Sequence, residues 1–403
     1  MLRSSLLRST ASHRLGKTLA IAASASHFSN VINVSSTIRN YTTPNGVVLP
    51  DTMKAAVYEG PLDIICKEVP IPKITHPEDA LIKVTQSSIC GTELHFYRGH
   101  LATSTGHIMG HETVGEVIDV GSQVTNFKPG DKVISCFTTQ CGKCWYCVRG
   151  YSSKCYNTAV FGTTALDGGQ AQYLRIPQAD GTLFHKPPGL DDNVALLMCD
   201  IFPTGYFCVS NFTKKFPKER VEEAVAVQFG LGPVGQCALA SAKELGIKKL
   251  YAVDSIPSRL EVAEKFGAIP LVLGKDNIKQ ILLDATENRG ADVVFEIVGS
   301  KEAIGMAFDV VRPFGYISSI GYHHDALPFS GLDCYMKNVT IQFGRCPAWS
   351  LFPESLPILQ KNQHLFKDFI DTKIDIEDIS KGYDIFDKHL VRKVVCEHHH
   401  HHH

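Results

Sequence analysis

The sequence predicts an α/β protein in which a cysteine-rich half precedes a doubly wound parallel sheet. From Val225 the chain reads VAVQFGLGPVGQCALASAKELG and then KKLYAVD: an apolar strand, a glycine turn, an amphipathic helix and a second strand. Alternation continues through AIPLVLG, a helix over 278–288, ADVVFEIVGS, a helix over 303–311 and GYISSIGY, the order that builds a parallel sheet with helices on both faces. Upstream, CGKCWYCVRGYSSKC gathers four cysteines in one short run.

Length and composition bound the rest. At 403 residues, 44% hydrophobic and 20% charged, the chain is too long for one small core and predicts two domains. A formal net charge of -1 gives no basic field for a phosphate backbone, so nucleic-acid binding is not expected. No run of eighteen apolar residues appears, so a soluble protein without a membrane partner is expected.

Both ends are set aside before any fold argument. Residues 1–50 lack Asp and Glu but carry Arg3, Arg8, Arg14, Lys17 and Arg39 among many serines. That composition, with a basic and apolar helix over 1–22, predicts a transit peptide over 1–41 and a mitochondrial matrix address, with processing near Tyr41. Residues 398–403 are an uninterrupted histidine run that reads as a purification tag.

The thirteen cysteines are an odd number, expected in a reducing compartment as thiols or metal thiolates. Cys141, Cys144, Cys147 and Cys155 follow two two-residue gaps and one of seven. Four thiolates so spaced can wrap a tetrahedral zinc completely, leaving no open position, which makes a structural site. Gly142 and Gly150 supply the backbone freedom for that wrap. Cys66, Cys136, Cys208, Cys237, Cys334, Cys346 and Cys396 show no ligand spacing and are expected as buried small apolar residues.

Cys90 in SSICGTELHFYRG and His111 in GHETVGEVIDVG offer one soft and one borderline ligand, and a catalytic zinc takes three protein ligands plus an open position. In the second half Gly230, Gly232 and Gly235 form a GxGxxG turn where a pyrophosphate can approach the backbone and the positive helix end. Asp254 ends the following strand, placed to bond the ribose hydroxyls and to repel a 2′-phosphate, which favours NAD over NADP. Arg259 is read either as a ribose contact or as a solvated charge at a helix start.

These motifs, with VGSQVTNFKPGDKV, resemble the zinc-dependent medium-chain alcohol dehydrogenases over nearly all of 53–395, nearest to their aspartate-liganded alcohol/formaldehyde dehydrogenase-like branch. The resemblance implies a GroES-like, mainly-β catalytic domain over 52–202 with its zinc lobe at 141–155, a Rossmann domain over 203–343, and a return to the first domain over 344–397. It implies two zinc ions per chain, one catalytic and one structural, and NAD. In LMCDIFPTGY it places Asp200 as the third catalytic ligand, with Cys199 as the alternative. Glu112 would lie behind the metal, supporting it or coordinating transiently.

Thr92 would take the substrate's proton and His95 would pass it toward solvent by way of the cofactor ribose, while Glu93 receives no role. Thr204 and Arg392 are placed with the cofactor, Lys388 and Lys393 being alternatives to Arg392. The pocket walls would include Thr92, Phe137, Phe161 and Trp349. The activity implied is hydride transfer between an alcohol, or its aldehyde or ketone, and NAD, in a homo-oligomer, dimer or tetramer. Two rivals stay open: an aldehyde dismutase that retains its NAD, although the long insertion before the third ligand is missing, and a non-catalytic dinucleotide-binding protein.

Overall fold

The computed structural model describes residues 40–400. The expected transit peptide lies outside them except for Asn40 and Tyr41, as do residues 401–403 of the histidine run. The first half supplies β1 (Asn40–Thr42), β2 (Val48–Pro50), β3 (Thr52–Gly60), β4 (Asp63–Pro70), β5 (Ala80–Ser88), β6 (Thr113–Val120), β7 (Lys132–Ser135), β8 (Tyr173–Ile176) and β9 (Leu183–His185). The second supplies β10 (Val225–Phe229), β11 (Lys249–Asp254), β12 (Ile269–Val272), β13 (Ala291–Glu296), β14 (Val311–Ser319) and β15 (Thr340–Phe343). The chain then returns through β16 (Thr372–Asp375) and β17 (Val394–Glu397).

β10 to β15 form a six-stranded sheet in the order β12-β11-β10-β13-β14-β15, every pairing parallel. All of β10 is buried, as expected for a strand covered by helices on both faces. Chain order reverses between β10 and β13, so the loops after these strands flank the crevice where such sheets take ligands. The other large sheet runs β16-β17-β5-β6-β7-β9, with β8 also on β5. Because β17 pairs antiparallel with β5, residues from the end of the chain reach the first cysteine motif. The two sheets belong to one compact unit, and the expected division at 202/203 falls inside the helix Ile201–Thr213.

The helix expected over 278–288 stops at Ala285. Thr286 Oγ1 donates back to the Leu282 carbonyl at 2.6 Å and accepts from Gly290 N–H, while Glu287 and Asn288 turn left-handed. The helix expected over 303–311 runs instead Lys301–Val310, capped by the Ser300 hydroxyl on Ala303 N–H. Val311 already begins β14. His398 continues the pairing on β5, its amide donating to the Thr85 carbonyl and its Nε2 lying 2.9 Å from Ser87 Oγ.

Candidate active site

Cys90 follows the end of β5, His111 and Glu112 precede β6, and Asp200 sits at a break between a short 3-10 turn, Leu196–Cys199, and the helix Ile201–Thr213. One ligand atom from each of these four residues lies within 4.8 Å of the others. His111 Nε2 is 3.0 Å from Asp200 Oδ2, and Cys90 Sγ is 3.9 Å from the same oxygen. These spacings suit the edges of a small tetrahedron with metal–ligand bonds of about 2.0–2.3 Å. Cys199 points away, its Sγ donating to the Thr113 carbonyl, so the hard oxygen of Asp200 faces the cluster.

The neighbours of these side chains fit a metal. Glu93 Oε1 is buried without a hydrogen bond and faces His111 Nδ1 at 3.4 Å. Its other oxygen accepts from the Tyr383 hydroxyl at 2.6 Å and from Gln170 Nε2 at 3.0 Å. A carboxylate so held draws the imidazole proton to Nδ1 and leaves Nε2 free to coordinate. Asp200 Oδ1 accepts from the Thr204 hydroxyl at 2.9 Å, which orients the second oxygen inward.

Glu112 is fully buried and bound by Ser88 Oγ and by Lys393 Nζ, at 2.7 Å from Oε2 and 3.1 Å from Oε1. Lys393, 1% exposed, is therefore not available to a cofactor phosphate, and this removes it as an alternative to Arg392. Burial opposes its charge most strongly of any one cause, but Glu112, Cys90 and Glu93 together outweigh burial and raise its pKa, so it stays cationic. With Cys90, Asp200 and Glu112 as anions, a dication and Lys393 together would offset those three charges, Glu93 on the far side of His111 not being counted among them.

Without a metal the cluster must hold protons. Burial and then Glu112 push the Cys90 thiol up. Burial would deprotonate His111, but Cys90 and Asp200 outweigh it and hold the ring's pKa well above 6.5.

The floor of this cluster opens into three adjoining hollows of about 470, 370 and 450 Å³. The first is lined by Cys90, Thr92, His95, Asp200 and Thr204 together with 297–300 and Tyr322 and His324. The helix Glu93–Tyr97 begins after Thr92, whose hydroxyl makes no capping bond and instead lies 3.8 Å from Cys90 Sγ, on the side of the cluster that the first hollow opens to. His95 is half-buried 5.2 Å from the His324 ring, and burial first, then His324, lowers its pKa.

The other two hollows share Arg259 and His389, and the glycine turn lines the third. Gly230 is left-handed at φ 102°, and a Cβ on Gly235 would stand 2.3 Å from the Gly230 carbonyl, so the turn and the close strand–helix approach both exclude a side chain. Asp254 Oδ2 accepts from Leu231 N–H at 3.1 Å, and Arg259 lies 3.5 Å from it. Arg392 lines the middle hollow with its backbone amide anchored on Asp371, whereas Lys388 pairs with Asp384.

The structure places Phe137 against the His111 ring, centroids 6.1 Å apart. Two other expected wall residues lie elsewhere. Phe161 is in the core beneath β5 and β8, and the Trp349 ring packs near Phe184 and Gly142, against the cysteine lobe.

In that lobe the sulfurs of Cys141, Cys144, Cys147 and Cys155 lie within 4.8 Å of one another. Backbone N–H groups point at them, among them Cys144 N to Cys141 Sγ at 3.2 Å and Cys141 N to Cys155 Sγ at 3.2 Å. Gly142 and Gly150 are left-handed as the tight wrap requires. Backbone donation from Cys147 brings the Cys144 pKa down to about 6, as a thiolate ligand needs. Five of the remaining cysteines are buried, but Cys66 and Cys334 are half-exposed, on an outer hairpin and on a helix that buries nothing.

Comparison with known proteins agrees with this geometry. Residues 76–188 match the alcohol dehydrogenase GroES-like domain and residues 233–361 the zinc-binding dehydrogenase family. Zinc-type alcohol dehydrogenase B of Aspergillus flavus is 45% identical over 345 residues, 85% of this chain and 81% of that protein. An alcohol dehydrogenase of Cupriavidus necator is 30% identical, covering 83% of this chain and 95% of that one. The solved alcohol dehydrogenase TADH from Thermus sp. ATN1 superposes with a TM-score of 0.80 at 32% identity, covering 86% of this chain and all of that one. The chain belongs to the zinc-dependent medium-chain alcohol dehydrogenase family and is an oxidoreductase of that type, a family that works with zinc and NAD(H).

Sequence reasoning gave Glu93 no role and missed Tyr383, Gln170, His324 and His389. Glu93 stood inside a motif already singled out, and its spacing from Cys90 was a usable signal. The others come from segments 60 to 300 residues away in the chain; Tyr383 stands in GYDIFD, a stretch that shares the likeness to the aspartate-liganded branch, but its meeting with Glu93 is made only by the fold.

Proposed function

We propose that this chain oxidises an alcohol with NAD at a centre held by Cys90, His111 and Asp200, with a second zinc in the four-cysteine lobe. The observation that carries the reading is Asp200 Oδ2 beside both His111 Nε2 and Cys90 Sγ, at the floor of the cleft that the glycine turn also lines. A zinc ion bound there supplies Lewis acidity, easing ionisation of an alcohol and polarising a carbonyl in reverse. Glu112 with Lys393 balances the charge from behind. Thr92 accepts the hydroxyl proton and His95, neutral because its pKa is lowered, carries it on toward solvent. Asp254 at the end of β11 supports NAD over NADP, since a 2′-phosphate would meet a carboxylate.

We take 52–202 with 344–397 as the catalytic part and 203–343 as the nucleotide part. Residues 1–41, acid-free and arginine-bearing, support a mitochondrial matrix address, which a fusion of that segment to a fluorescent protein tests. Among the described residues β15 is the outer edge of its sheet, and beside it the helix Gly331–Lys337 exposes Leu332, Tyr335 and Met336 at 67–76%. That supports a homo-oligomer joined along this edge. Light scattering should show more than one chain per particle, and Tyr335→Glu should dissociate it.

The test of the activity is NAD reduction with short primary, secondary and aromatic alcohols and small polyols. Turnover with added NAD, abolished by Cys90→Ser while NADH binding persists, is expected. Turnover unchanged in Cys90→Ser overturns the assignment.

A further inference from the structure

A cleft of about 770 Å³, larger than each of the three hollows of the cofactor cleft, opens at the opposite, N-terminal edge of the parallel sheet. It spans the starts of β10, β13, β14 and β15. One wall is aromatic: Phe212 and Phe216 are 5.0 Å apart by ring centroid, and Tyr316 is 5.9 Å from Phe212. Arg220, Arg289 and Arg312 also line the cleft.

These guanidiniums are unequally occupied. Arg312 Nε is bound to Asp292 Oδ1 at 2.6 Å, and the other oxygen of Asp292 takes the Val225 amide. Among the described residues Arg289 pairs with Glu287 alone, 3.8 Å away and 91% exposed, an arrangement of little strength in water. Arg220 has no carboxylate partner among the described residues and lies over the Phe216 ring, 5.5 Å from its centroid. Glu223 at the rim is the one other acid in the lining.

The lip is formed by Phe314, which is 72% exposed in a left-handed conformation at φ 58°. A phenylalanine there has both a steric cost and an unburied ring, and such residues persist where a function holds them. A flat ring beside Phe314 and Phe216 would bury both, and an anion on it would reach Arg220 and Arg289. The volume suits one small molecule.

We propose that this cleft is a second ligand site, separate from the cofactor cleft, for a small anion carrying a flat aromatic group. The ring packs on Phe314 beside Phe216, and the carboxylate or phosphate is held by Arg220 and Arg289.

Phenyl phosphate titrated calorimetrically into the zinc-loaded full chain, with and without saturating NADH, tests this. One site per chain is expected, unaffected by NADH and weakened at least tenfold by Arg220→Ala. Inorganic phosphate and toluene, each with half the chemistry, should bind at least tenfold more weakly. Phe314→Gly should weaken binding while raising the melting temperature, because it removes the left-handed side chain. Absence of binding, displacement by NADH, equal affinity in Arg220→Ala, or a lowered melting temperature in Phe314→Gly would each overturn the proposal.

Discussion

The two cysteine-bearing clusters are built in opposite ways. The lobe takes all four donors from one short stretch of chain and steadies their sulfurs with backbone N–H groups. The centre at Cys90 takes four donors from three separate segments, buries them, and steadies them with side chains: Lys393 and Ser88 on Glu112, Thr204 on Asp200, Glu93 beside His111. A self-contained wrap closes off its metal and can only brace the fold. An assembled centre leaves an open side toward the cleft, and its charge and orientation are set by parts of the chain far away.

That contrast predicts different losses. Asp200→Ala should reduce turnover at least a thousandfold while the melting temperature of the lobe region is retained, since a ligand oriented for the transition state is removed. Cys147→Ala should instead lower the melting temperature and release one metal ion, because a structural site contributes folding energy directly. If both variants behave alike, the division of labour is wrong.

Lys393→Met sharpens the comparison from the assembled side. It strands Glu112 as an uncompensated buried charge and should destabilise the protein by about 3–5 kcal/mol, read by urea unfolding. Adding Glu112→Gln should recover most of that loss. No recovery would mean that Lys393 acts on something other than Glu112.

Tyr383→Phe removes a donor from Glu93 and should weaken metal affinity at the Cys90 centre by about 10-fold, measured by chelator competition, leaving the lobe's affinity unchanged. The smallest effect expected is in the pH profile. Burial and His324 lower the His95 pKa, so the limb of kcat/KM that reports its deprotonation lies below pH 6.5. His324→Gln removes a neighbouring positive charge and should move that limb upward, toward 6.5. A downward shift would show that His324 does not act on His95 in this way.

The same contrast explains what was legible in the sequence. The gathering of the four cysteines was readable, because they, their glycines and their turns are local. The glycine turn and Asp254 were readable because β–turn–α–β units carry their own periodicity. The assembled centre was readable only through family likeness at Asp200, where geometry then separated it from Cys199 by turning that sulfur to the Thr113 carbonyl. Lys393 could not be read, since only the pairing of β17 with β5 brings it beside Glu112, and an isolated lysine near Arg392 looks like a phosphate contact. Trp349 was misplaced for the same reason: the helix Ala348–Lys361 carries it against Gly142 of the lobe, away from the cleft.

The most direct measurement is the zinc content of the wild type and of Cys90→Ser, taken on the same samples as NAD reduction with the best alcohol. Two zinc ions per chain with turnover, falling to one with turnover lost, is the result predicted. Zinc content and turnover both unchanged in Cys90→Ser would contradict the central claim, because the chemistry would then lie outside the Cys90, His111 and Asp200 cluster.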